Sequence, residues 1–87
     1  MNSKELVISI EYTIKETRLY LLNRIECNSE SSWSRMKWSA TKPIHVLLAS
    51  IYTSQLIDTE QYNHLDKLID ELDSMNYKAI GGKTYEN

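Results

Sequence analysis

The chain has 87 residues, enough for one domain and too few for two, and its 41% apolar and 25% charged residues exclude a disordered polymer. Its single cysteine, Cys27, excludes an intramolecular disulfide framework. A net charge of −2 conceals a dipole: residues 1–42 hold seven Lys/Arg against five Asp/Glu, residues 43–87 three against seven, and residues 31–57 contain no acid.

The opening stretch MNSKELVISIEY is interrupted by Glu5 and Glu11, so it does not read as a signal peptide. No run approaches the roughly 18 apolar residues needed to cross a bilayer. With one unpaired thiol, the expected location is the cytoplasm. Asn2 with Glu5 three residues on has capping-box spacing, and Leu6, Ile10, Ile14, Leu21 and Ile25 share one helical face, so a helix is predicted over residues 4–27. A rival reading exists at residues 6–15. There Ile8, Ile10, Tyr12 and Ile14 alternate with polar residues at the period of a half-buried strand. A lone strand needs a partner and none is visible. A second apolar stripe on this segment, Ile8, Tyr12 and Leu19, lies away from the main face.

A serine-rich link precedes WSRMKWSA, where Trp33, Met36, Lys37 and Ala40 have the spacing of a short helix over residues 31–40. Pro43 predicts a boundary there and the first turn of a new helix, because the residue before proline avoids helical dihedrals. Over residues 43–56, Ile44, Leu47, Leu48 and Ile51 form an apolar stripe extended by Tyr52 and Leu56. Asp58 and Gln61 form a second capping box, followed by Leu65, Leu68, Ile69, Leu72 and Met75 on one side of a helix to about residue 76. So short a connection predicts an antiparallel helical hairpin. Residues 79–87 read as a flexible tail, frayed or turning at Gly81-Gly82, after a single helical domain over residues 1–78. The fold expected is all-α, a small three- to four-helix bundle, with α+β as the alternative if residues 6–15 form a strand.

No catalytic motif is present: no nucleophile elbow, no phosphate-cradling glycine loop, no ligand spacing around His45 or His64, and no activating neighbour for Cys27, which reads as a partly packed thiol. The chain is therefore expected to be non-enzymatic and to need no cofactor or metal. Two surface patterns stand out. Asp66, Asp70 and Asp73 sit at i, i+4 and i+7 with Asn63 and Tyr77 near the same line, either a solvated face or an acidic strip for a basic partner. Arg35, Lys37, Trp38 and Lys42 interleave cations with an aromatic, as nucleic-acid-binding segments do. Three cations are few, and Trp33 and Trp38 would point about 140° apart on a helix, which suits one tryptophan in the core and one at the rim.

Residues 47–75, a third of the chain, resemble the closing helix pair of small four-helix bundles of the ribosomal and retroelement-accessory kinds. The resemblance implies a helical hairpin and assigns no functional residues. Two functions follow as expectations. The first is a protein-binding module, in the manner of an inhibitor, immunity protein, antitoxin or phage or plasmid accessory, whose acidic helix meets a partner with a basic surface. The alternative is a nucleic-acid accessory protein using residues 33–45. The apolar surplus on the first helix also suggests a homodimer, and no membrane partner is expected.

Overall fold

The structure, a computed structural model, describes residues 2–82. They form three helices and no strand: α1 (Ser3–Leu22), α2 (Glu30–Thr53) and α3 (Thr59–Asp73). The all-α expectation holds, and residues 6–15 lie inside α1. The apparent alternation there is the sum of two helical stripes. Ile10 and Ile14 point into the core, whereas Ile8 and Tyr12 face outward, 57% and 63% exposed.

Asn2 caps α1, its Oδ1 accepting the Glu5 amide at 2.8 Å. The helix stops at Leu22, five residues short of the expected end, because its terminal carbonyls find other donors. Trp33 on α2 donates its indole N–H to the Leu21 carbonyl at 2.8 Å. The chain then tightens through Arg24 N–H to Leu21 and Ile25 N–H to Leu22, which carries Ile25 back into the core.

At Pro43 the structure departs from expectation: the short helix and its successor are one helix of 24 residues with Pro43 inside it. An interior proline costs about 3 kcal/mol. Opposing this is a buried stripe along both halves, Trp33, Thr41, Ile44, Leu48 and Ile51, whose apolar members each gain about 1.5–3 kcal/mol by leaving water. Keeping both halves in phase wins. Pro43 itself is exposed, so the lost amide lies on the solvent side.

A Schellman motif ends α2: Leu56 N–H reaches the Ile51 carbonyl, Gln55 N–H reaches Tyr52, and Gln55 takes the left-handed conformation at φ 62°. Asp58 and Gln61 then form the predicted reciprocal capping box at the start of α3. The two helices pack antiparallel, with Tyr52 stacked on Tyr62 near the turn and His45 bonded to Asp73 at the far end.

The segment after α3 is ordered by the core. Asn76 caps a single helical turn through Lys78 and Ala79. A second Schellman pattern closes that turn, with Gly81 at φ 102° and Gly82 N–H on the Tyr77 carbonyl. A Cβ on Gly82 would meet that carbonyl oxygen at 2.5 Å. Ile80 packs partly against the core. Of the expected tail at 79–87, residues 83–87 lie outside the described residues. The bundle measures 51 × 17 × 16 Å, and among the described residues no helix is long and apolar enough to cross a membrane.

Candidate protein-binding face

The aspartates of α3 do not share one environment. Asp70 is exposed and Asp66 half-buried, both beside the seam with α2. Asp73 is occupied: its Oδ2 lies 2.5 Å from His45 Nε2, across that seam. Asn63 is exposed one turn before Asp66. Tyr77 stands apart from all of them. It is 3% exposed, and its hydroxyl donates to the carbonyls of Ile25, at 3.0 Å, and Asn28. A partner cannot reach it, so the expected strip loses one member to the core and another to an internal bond. What α3 turns to solvent is Glu60, Asn63, Lys67, Asp70 and Glu71.

The basic segment divides in the same way. Lys37 leans back to α3, its Nζ donating to the carbonyls of Asp73 at 2.7 Å and Met75 at 2.9 Å. A cation at the negative end of a helix is favoured by the macrodipole, so Lys37 is a cap and not a ligand group. Arg35, Trp38 and Lys42 remain on the outer face of α2, at i, i+3 and i+7. Trp33 is 1% exposed and Trp38 62%, the division between core and rim that helical phase predicts.

The exposed apolar residues form a pattern that the charges do not. Ile8, Tyr12, Leu19 and Tyr20 project from α1, Trp38, Val46 and Leu47 from α2, and Leu56 from the turn, while the large exposed apolar residues include none from α3. Ile8, Tyr12 and Leu19 are the second stripe visible in sequence. Leu47 and Leu56 are corrections, since both were expected in the core. Val46 and Pro43 are exposed surface features that the stripe pattern does not mark: helical phase turns Val46 away from Ile44 and Leu48, with Pro43 one turn before it.

Tyr12, Thr13, Glu16, Thr17, Tyr20 and Ala40 line a cleft of about 370 Å³ between α1 and α2. On α2 a shallow depression of about 470 Å³ runs over Lys42, Pro43, Val46, Leu47 and Ser50. Tyr20 bridges the rows, its hydroxyl 3.3 Å from Met36 Sδ. A third groove lies between α1 and α3, with Glu11, Lys15, Arg18 and Glu71 around an apolar floor that includes Ile14 and Leu68. Its Glu11 also bonds His64 at 3.2 Å. Cys27 is exposed, contrary to the partly packed thiol expected.

No protein-family model, curated protein or solved structure matches this chain. The functional reading therefore rests on the surface itself. Chemically, the α1–α2 side offers Tyr12 and Tyr20 beside a groove, with Val46 and Leu47 exposed on α2, set among Glu16 and Lys42. The α3 side offers mixed charge.

Proposed function

We propose that this chain is a non-enzymatic protein-binding module that docks through the shared outer face of α1 and α2. The confinement of the large exposed apolar side chains, among the described residues, to α1, α2 and the turn after α2 carries the reading. Scattered surface hydrophobes are normal, but rows on two adjacent helices beside a third helix of polar surface mark an interaction side. Tyr12 and Tyr20 are the anchors, large rings with few rotatable bonds to immobilise, with Val46 and Leu47 exposed on the neighbouring helix. The acids of α3, first in line from sequence, lie outside this interface and keep the opposite side wet.

Photocrosslinking in the native host tests the proposal. A benzophenone side chain is placed at Tyr12 or Val46 on the docking face, and at Lys67 or Asp70 on α3. Adducts from the first pair and none from the second are expected. Adducts confined to the α3 positions, or none from any position, overturn the reading.

A further inference from the structure

We infer that the groove between α1 and α3 is a binding site for a small apolar organic anion, a hydrocarbon body carrying one carboxylate, held by Lys15 and Arg18. The site lies on the α3 side of α1, apart from the docking face proposed above, and does not rest on that proposal.

Floor and walls differ in chemistry. The floor is apolar: Ile14, Leu72 and Met75, 7%, 2% and 8% exposed, with the half-buried Leu68. The space over it is about 340 Å³, within the range of small-molecule sites. The α1 wall runs from Glu11 to Arg18, a rise of about 10 Å at the helical pitch. At its first end the seam is bridged, because Glu11 bonds His64 of α3 at 3.2 Å. The result is a short recess, sized for a medium-length chain or a ring.

Charge on the walls decides the sign of the occupant. Lys15 and Arg18 stand one turn apart on α1, and both line the recess. Neither side chain has a hydrogen bond or ion pair among the described residues, although two acids line the same recess. Glu11 is engaged with His64 at the bridge. Glu71, on the α3 side, likewise has no partner among the described residues. Two free cations therefore stand against one free acid. A carboxylate can accept N–H donors from both cationic side chains, whereas an ammonium would have Glu71 alone. An uncharged chain would gain only the floor. The occupant so defined pairs groups that the fold leaves unpaired, and Glu71 is the one group that opposes it.

The test is titration of the isotope-labelled protein with octanoate, followed by amide chemical shifts. Acetate, octanol and octyltrimethylammonium serve as comparisons for head, chain and sign. Octanoate is expected to saturate the protein, to move the amides of residues 14–18 and 68–75 most, and to bind about 10-fold more tightly than each comparison. Lys15→Gln and Arg18→Gln should each weaken binding about 3-fold, and the two together about 10-fold. Glu71→Gln removes the opposing charge and should tighten binding about 2-fold. Lys42→Gln, on α2, should leave it unchanged. All four positions are exposed, and circular dichroism with thermal unfolding checks that each variant folds. Saturation that weakens in the double variant and strengthens in Glu71→Gln supports the inference. It is overturned if octanoate does not saturate, if the shifts centre on α2, or if any comparison binds as tightly. Wild-type affinity in the folded Lys15→Gln/Arg18→Gln protein overturns it equally.

Discussion

Tyr77 and Trp33 perform related tasks with polar tips on large apolar bodies. Both are buried, with ring centroids 5.7 Å apart, and both spend their single donor on carbonyls of the segment that leaves α1. A connection of seven residues between two helices leaves backbone acceptors inside the protein, and these side chains satisfy them. Removing the tyrosine hydroxyl would strand the carbonyls of Ile25 and Asn28. Tyr77→Phe is therefore expected to lose about 1–3 kcal/mol, read from the urea midpoint at unchanged slope. Lys37 completes the same corner, its ammonium 5.8 Å from the Trp33 ring while it caps α3. Two residues that looked like ligand groups in sequence hold the corner together, because a contact between positions 25 and 77 has no local signature.

At the scale of elements, what was legible in sequence was local. Asn2 with Glu5 located the cap of α1, although the structure shows only the bond from the Glu5 amide to the Asn2 side chain, and Asp58 with Gln61 formed the full box. The stripes Ile44–Leu48–Ile51 and Leu65–Ile69–Leu72 placed the hairpin. What failed was local inference against non-local packing. Pro43 carries a strong breaking signal, and burial along both halves of α2 overrides it. The acidic and basic patterns of α3 and α2 were correctly seen as surface-lying in part, yet their shared seam removed Asp73 and Lys37 from the pool. The two Schellman endings make a natural comparison. Gly81 occupies the left-handed position without steric cost, whereas Gln55 has a Cβ there. Gln55→Gly is expected to stabilise the protein by about 0.5–1 kcal/mol, seen as a higher denaturation midpoint with the helix content unchanged.

At the scale of the whole molecule, α3 turns Glu60, Lys67, Asp70 and Glu71 outward, while the outward surfaces of α1 and α2 mix exposed apolar side chains with Lys15, Glu16, Arg18, Arg35 and Lys42. This arrangement bears on the nucleic-acid alternative. With Lys37 committed to α3, the outer stripe of α2 offers Arg35 and Lys42 around Trp38. Two phosphate contacts give a salt slope of about −1.4 on single strands and about −1.8 on duplex, too shallow to support tight binding. Fluorescence anisotropy with labelled single-stranded and duplex oligonucleotides is expected to show no saturable binding at about 150 mM salt, a range in which non-specific DNA binders already need micromolar or higher concentrations. Saturable binding there with a steep salt slope would restore the nucleic-acid reading.

The division between Trp33 and Trp38 also equips the molecule with two optical reporters that answer different questions. Trp33, sealed beside Tyr77, emits from an apolar site and senses only loss of the fold. Trp38 emits from water, is open to iodide, and senses whatever settles on the outer stripe of α2. Replacing Trp38 with Phe leaves a pure unfolding signal, and subtracting it from the parent spectrum leaves the signal of that outer stripe alone. A blue shift and loss of quenching confined to the second component, with the first unchanged, would separate contact from conformational change in a single cuvette.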